Sequence, residues 1–337
     1  MTNISAICSL APLLLFSMHN MTITFGPVPS RRLGRSLGIN NIPPKSCSYS
    51  CLYCQVGATQ GKTVIPREFY QPTEVRKAVE IQIQKVSDAN ESIDYLTFVP
   101  DGEPGLDINL GKSIELLRPL GIPIAVITNA SLLWQPEVRV AIGKADWVSV
   151  KVDSVLEPVW QRLNRPHDTL RLSEVVDGIR HFAGEFCGQL VSETMLIENI
   201  NDTTDNVAGV AAFLQEIGVA TAYLAIPTRP AAEPDVQGPS ESVVNRAYQQ
   251  FTGLLPQVEC LLGYEGDAFA FSGDIENDLL SITAVHPMRK SAVRALLKKA
   301  RADWHVVEKL IIDGKLVKTD YQGEEYFLRR FEKQQSE

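Results

Sequence analysis

The sequence predicts an α/β fold: a partial (β/α)6 TIM-like barrel followed by a small C-terminal winged-helix-like subdomain. Three observations carry this. Strand-like and helix-like runs alternate through six βα units between residues 36 and 255. The central strands, such as residues 123–128, are apolar on both faces, as in a parallel sheet covered by helices. After residue 258 the rhythm changes to helices and a terminal hairpin. Right-handed crossovers curl such a βα series into a barrel or part of one; a flat, doubly wound sheet is the alternative.

The elements follow in order. A first strand over 36–42 runs into a cysteine-rich loop. Residues 73–86 (TEVRKAVEIQIQKV) form an amphipathic helix that begins on a capping-type Thr73. A strand over 95–99 ends at Pro100-Asp101-Gly102-Glu103-Pro104-Gly105. Helix 110–120, strand 123–128, helix 136–144 and strand 147–152 come next. Helical stretches around 155–163 and 173–185 precede strand 189–197, helix 203–217, strand 221–226 and helix 240–255. Beyond these, 274–280 is a short helix, and 291–300 and 303–313 are helices. Residues 315–319 and 325–329 pair about Tyr321-Gln322-Gly323. The expected division is an N-terminal extension (1–20), a core domain (21–270) and a winged-helix-like subdomain (271–337).

Composition is that of a soluble globular protein, 45% hydrophobic and 21% charged. A net charge of −8 excludes a general polyanion binder. The charge is uneven: residues 284–337 carry 12 Lys and Arg against 8 Asp and Glu. A basic tail piece on an acidic body hints at a separate binding role. Three of the six cysteines lie within eight residues, and Cys8, Cys187 and Cys260 are scattered. That is no disulfide framework, so the expected setting is a reducing cytoplasm. Residues 7–18 (ICSLAPLLLFSM) are apolar but too short to span a bilayer, and no Lys or Arg precedes them. They read as an extension upstream of a body that begins near Met21, or as a cryptic anchor; no stable membrane association is expected.

The chemistry concentrates in Cys47-Ser-Tyr-Ser-Cys51-Leu-Tyr-Cys54. Three thiolates on one loop can hold three irons of a [4Fe–4S] cube and leave the fourth open to chemistry. A closed zinc site wants four ligands, and no fourth Cys or His lies close by in sequence; a redox or zinc site is the alternative. The loop follows the first strand, at the barrel end where ligands gather. Successive strand ends add polar groups: Gly102-Glu103-Pro104, Thr128-Asn129, Lys151 with Asp153, Glu193, and Arg229. The plainer roles are a turn for Gly102-Glu103-Pro104, a helix cap for Asn129, an ion pair for Lys151 with Asp153, and a structural salt bridge for Arg229. Arg31, Arg32 and Arg35 in a glycine loop before the first strand suit phosphate or carboxylate. Cys187 and Cys260 are hydrogen-donor candidates or, by default, buried structural thiols. His167, His286 and His305 show no metal spacing.

The cysteine motif resembles the signature of the radical S-adenosylmethionine (radical SAM) superfamily. The stretch GPVPSRRLGRSLGINNIPPKSCSYSCLYCQVG looks like the branch labelled wyosine-synthetase-like Fe–S oxidoreductases, supported downstream by TFVPDGEPGLD, VITNASLL, SVKVDS, NRPH, IPTRPAAEP and ITAVHPMRKSAV. The likeness spans roughly residues 22–330. It implies a [4Fe–4S] cluster on Cys47, Cys51 and Cys54 whose open iron binds the amino and carboxylate groups of SAM. Reductive cleavage then gives a 5′-deoxyadenosyl radical that abstracts hydrogen from a substrate. The resemblance further implies SAM contacts from Tyr53, Gly102, Glu103, Pro104, Thr128, Asn129, Lys151, Asp153, Glu193 and Arg229, and a flavodoxin or ferredoxin as electron donor. Gly102-Glu103-Pro104 resembles the family's GGE motif, with Asp101 in place of its first glycine. Wyosine synthases modify a tRNA guanine, and the archaeal type carries a second cluster, for which this sequence has no second cysteine group. The resemblance makes an RNA base one expected substrate, and a peptide or small molecule is another. A non-catalytic Fe–S sensor with a winged-helix output and a zinc-binding interaction protein are the readings from other classes.

Overall fold

A computed structural model describes residues 23–330 other than 60, 264, 265 and 268. The N-terminal extension, with Cys8 and the apolar run, lies outside the described residues. The described chain starts as a hairpin of β1 (Thr24–Ser30) and β2 (Gly34–Ile39). The next strands are β3 (Tyr95–Phe98), β4 (Ile124–Thr128), β5 (Trp147–Lys151), β6 (Gln189–Met195), β7 (Thr221–Ala225) and β8 (Val258–Leu261). They lie side by side in chain order, and every pair from β2 to β8 is parallel. The result is a curled, open half-barrel, as expected, with two strands more than the six read from sequence. β1 hides in sequence because Pro27 and Pro29 interrupt it, which an edge strand tolerates. β8 hides because it has only four residues at the opposite edge.

Among the described residues, seven α-helices cover the outside: α1 (Pro72–Asp88), α2 (Leu110–Leu117), α3 (Pro136–Ile142), α4 (Glu157–Asn164), α5 (Leu172–Glu185), α6 (Thr204–Glu216) and α7 (Glu241–Thr252). α1 starts on Pro72 rather than Thr73, because Glu74 reaches back to the Gln71 N–H at 2.9 Å. Its buried stripe is Val75, Val79, Gln82 and Val86, a helical spacing. Alternate strand residues divide between two cores. Leu37, Leu96, Val126, Val148 and Leu224 pack with helix residues such as Val79, Ile114 and Phe251. Ala125, Trp147, Val191, Tyr223 and Ala225 form a second cluster on the concave side.

The remainder is α8 (Ile275–Val285), β9 (Met288–Arg289), α9 (Lys290–Ala300), α10 (His305–Ile312), β10 (Leu316–Tyr321) and β11 (Glu324–Arg329). Its three strands make an antiparallel sheet in the order β10-β11-β9. It has its own core of Leu279, Ile282, Val293, Leu296, Leu310 and Phe327. This unit docks on the barrel through α8 against β1. Tyr326 donates its hydroxyl to the Thr228 carbonyl at 2.9 Å, and Lys299 pairs with Glu91 at 2.8 Å.

Candidate active site

The cysteine loop is stitched to the barrel from two sides. On one, Lys45 N–H bonds the Asp101 carbonyl at 2.7 Å, and Glu103 N–H bonds the Ser46 carbonyl at 2.9 Å. On the other, Ser50 and Leu52 donate to the Asn164 and Leu163 carbonyls at the end of α4, at 3.1 and 3.0 Å. The strand-end glycine makes the first contact possible. A Cβ on Gly102 would lie 2.0 Å from the Ser46 carbonyl oxygen. Gly102→Ala is therefore expected to cost at least about 1–3 kcal/mol and to displace the segment entering Cys47. A denaturant midpoint and the iron content after reconstitution check this; wild-type values for both would refute the packing argument.

Cys47, Cys51 and Cys54 all line one cavity of about 370 Å³ at the C-terminal mouth of the barrel. Asn129 Nδ2 points at Cys47 Sγ (3.5 Å) and Asn164 Nδ2 at Cys51 Sγ (3.4 Å). Burial pushes all three thiols up, Cys51 to about 12. Without metal they are neutral; iron binding would repay the cost of the thiolates.

A charged wall stands in the same cavity. Glu193 on β6 accepts from Lys151 at 2.6 Å through Oε1 and from Arg32 at 2.5 Å through Oε2. Burial alone would raise its carboxyl, but Lys151, Arg32 and Arg229 bring it down to about 2. Burial disfavours the Lys151 charge, yet Glu193 and Asp153 hold its pKa above the ordinary lysine value. Lys151 Nζ also sits 4.8 Å above the Tyr53 ring. Asp101 lines the cavity at 3% exposure with neither carboxylate oxygen hydrogen-bonded; Lys45 Nζ is 3.9 Å away.

The residues expected at the site therefore separate. Tyr53, Gly102, Thr128, Asn129, Lys151, Glu193 and Arg229 line the cavity with the cysteines. Glu103, Pro104 and Asp153 stand behind the wall instead. Glu103 is fully buried and accepts from Gly105 N (2.9 Å), Thr128 Oγ1 (2.7 Å) and Asn129 N (2.8 Å), so it ties the β3 and β4 ends together. Asp153 accepts from the Tyr53 hydroxyl, from Asn164 Nδ2 at 3.0 Å and from Met195 N at 2.8 Å. The donor candidates Cys187 and Cys260 are off the cavity: Cys187 is exposed just before β6, and Cys260 turns toward the helix-side core. Arg35 pairs with Asp94 on the surface, and Arg31 bonds the Gly263 carbonyl. Asn164, Asp101 and His286 were not singled out from sequence as site groups; only NRPH carried a signal for Asn164.

Burial raises Asp101 and Glu103 to about 7 and Asp107 to about 6. Between the free carboxyl values and these, the native state binds protons that the unfolded chain has released. Stability of the metal-free protein should therefore fall as pH rises from about 5 to about 7. Urea titrations at both pH values check this, and Glu103→Gln should flatten the slope.

The sequence profile of the Radical SAM superfamily matches residues 41–209. The UPF0026 protein MJ1312 of Methanocaldococcus jannaschii is 46% identical over 311 residues, 92% of this chain and 96% of that one. The chain belongs to the radical SAM superfamily. A UPF0026 protein of Helicobacter pylori is 32% identical over 217 residues, 64% of this chain and 69% of its own length. Two solved structures share the fold. A radical SAM methyltransferase from Sphaerobacter thermophilus aligns at TM-score 0.50 and 18% identity over 67% of this chain and 66% of that one, just under two thirds of its length. TYW1 with a lysine–pyruvate adduct bound aligns at TM-score 0.51 and 13% identity over 66% of this chain and 74% of that one. This radical SAM chain is an enzyme, and its superfamily uses a [4Fe–4S] cluster and SAM. The site fits both groups. Its donors are three thiols in one cavity. Among the described residues no three His, Cys, Asp or Glu side chains are grouped to hold a single metal ion. In a radical SAM cluster each thiolate instead takes its own iron. The unbonded Asp101 oxygens and the Lys151 ammonium offer polar contacts for a zwitterionic cofactor. No helix of the described residues is long and apolar enough to cross a membrane.

Proposed function

We propose that this enzyme cleaves SAM reductively at a [4Fe–4S] cluster held by Cys47, Cys51 and Cys54 and abstracts hydrogen from a substrate in the same cavity. The observation that carries it is the convergence of three buried thiols and the Arg32–Glu193–Lys151 network on one cavity at the barrel mouth. When bound, the reduced cluster supplies the electron that breaks SAM's sulfonium C–S bond, releasing methionine and the 5′-deoxyadenosyl radical. The chain's residues do the rest by position. Asn129 and Asn164 aim N–H donors at two sulfurs, which favours their thiolate form. Glu193 fixes Lys151 and Arg32 as cations facing the ligand. Tyr53, Gly102 and Thr128 complete the proposed SAM contacts, with Glu103, Pro104 and Asp153 bracing them from behind. Anaerobic reconstitution tests this: about four iron and four sulfide per chain are expected, with 5′-deoxyadenosine formed from SAM under dithionite. A chain that takes up iron and sulfide but makes no 5′-deoxyadenosine would falsify it.

We read residues 21–270 as the radical SAM core and 271–337 as a winged-helix-like unit, in a cytoplasmic protein served by a flavodoxin or ferredoxin. An RNA base is favoured over a peptide as substrate because residues 284–337 carry 12 Lys and Arg against 8 Asp and Glu, and His286 of this segment lines the cavity. Binding of tRNA that weakens steeply with salt supports this, and salt-insensitive or absent binding opposes it.

A further inference from the structure

The C-terminal unit supplies a residue to the cavity that no cofactor contact accounts for. His286 follows α8 in the turn toward β9 and lines the same cavity as the three cysteines. It is 6% exposed and packs edge-on against Phe269, with ring centroids 5.2 Å apart. Its Nε2 is buried and has no hydrogen-bond partner. Buried ring nitrogens are almost always satisfied, so a lone one facing a cavity marks a ligand contact. Burial, helped by the Arg229 cation, keeps the imidazole neutral, with one N–H to give and one lone pair to accept.

Two guanidinium groups face the same cavity. Arg229, 8% exposed, donates Nη1 to Gln55 Oε1 at 3.0 Å. Arg32 binds Glu193 through Nη1 and leaves its buried Nε without a partner. Both cations act on Glu193, and Arg229 acts on His286, so the groups belong to one neighbourhood. They come from three places: the β1–β2 loop, the loop after β7, and the turn after α8. The C-terminal hairpin sets the second of these. Tyr321 and Tyr326 donate their hydroxyls to the Pro227 and Thr228 carbonyls, at 3.2 and 2.9 Å, just ahead of Arg229.

We propose that His286, Arg229 and Arg32 form a substrate subsite for an oxyanion, a phosphate or carboxylate group, with Tyr321 and Tyr326 as positioning residues. Guanidinium groups match such planar or tetrahedral oxyanions, and the imidazole N–H adds a directional donor. The C-terminal unit is then part of the substrate wall, not an appendage. This rests on the reading of the cavity as the radical SAM active site.

The test uses the reconstituted full chain with 15N-labelled histidine, five residues in all, and saturating SAM. His286→Gln assigns the His286 ring signals by their loss. Inorganic phosphate and acetate are titrated in separate arms, which tells a phosphate preference from a carboxylate one. The expected result is that one ion moves the His286 ring signals while SAM stays bound. Calorimetry should show that ion bound roughly tenfold more weakly by His286→Gln and by Arg229→Gln. Three results overturn the subsite: neither ion moves His286, His286→Gln binds as tightly as wild type, or SAM displaces the ion. The last would assign the cations to the SAM carboxylate. A wild-type chain that neither binds nor cleaves SAM sinks the underlying reading by itself, whatever the ions do.

Discussion

Cys54→Ala is expected to lower iron after anaerobic reconstitution from about four per chain to below about one, and to bring 5′-deoxyadenosine formation to background. The reasoning is ligand count. Three thiols line the cavity, and Asn129, Ser48 and Asn164 are already committed to one another, to Asp153 and to the sulfurs. Losing one thiol leaves two protein ligands for a cube that must also keep one iron open. The chain itself should survive the change. The loop is held by backbone bonds at Lys45, Ser50, Leu52 and Glu103 that Cys54 does not supply. An unchanged far-ultraviolet spectrum and denaturant midpoint in the metal-free variant would confirm that the loss is local. Cys187→Ala is the matching control, because that thiol is exposed just before β6. Full iron loading and SAM cleavage by Cys54→Ala would remove the cluster assignment.

Much of this was legible in the chain. Strands β2 to β7 announce themselves as apolar runs, and a parallel sheet in chain order follows from their spacing through intervening helices. The cavity's cysteines were legible from their spacing, and Asn129, Lys151 and Glu193 because polar residues at the ends of apolar strands stand where a ligand would sit. Facing was not legible. In a strand buried on both sides, Ile124 and Ala125 look alike, yet one meets the helices and the other the barrel interior. For Cys260 the default reading, a structural thiol, matches its packing against the helix-side core. Glu103 and Asp153 were read as SAM contacts from the likeness to the family's motifs and from their place at strand ends. What the sequence hides is that backbone N–H groups of Gly105, Asn129 and Met195 turn inward to meet them. Those donors exist only once the loops have folded. His286 was hidden for a different reason: it lies 254 positions after Arg32, which the glycine loop had already marked for phosphate or carboxylate, and docking of the C-terminal unit brings both to one cavity.

Glu193→Ala is expected to cost about 3–5 kcal/mol of stability. Glu193 is the common counter-ion of two buried cations, with Lys151 and Arg32 side chains only 15% and 12% exposed. Removing it leaves both charges desolvated and facing each other. Asp153 is no substitute for Lys151: it lies 3.8 Å away and is already held by Tyr53, Asn164 and Met195. The acid limb gives an independent check. Because the folded carboxyl sits near 2, below its free value, Glu193 contributes stability above about pH 4.5 that fades as pH falls toward 2. Wild type should lose stability over that window more steeply than Glu193→Ala does. A triple replacement, Arg32→Met with Lys151→Met and Glu193→Leu, separates folding from function. Swapping a buried ion network for apolar groups of similar size is often nearly neutral, so most of the lost stability should return. SAM binding, measured by equilibrium dialysis on the reconstituted protein, should not return with it. If the triple variant folded well and also bound SAM as tightly as wild type, the network would be scaffolding alone. If Glu193→Ala shifted the denaturant midpoint by less than about 1 kcal/mol, the level of an exposed pair, the cations would have to be solvated rather than held for a ligand.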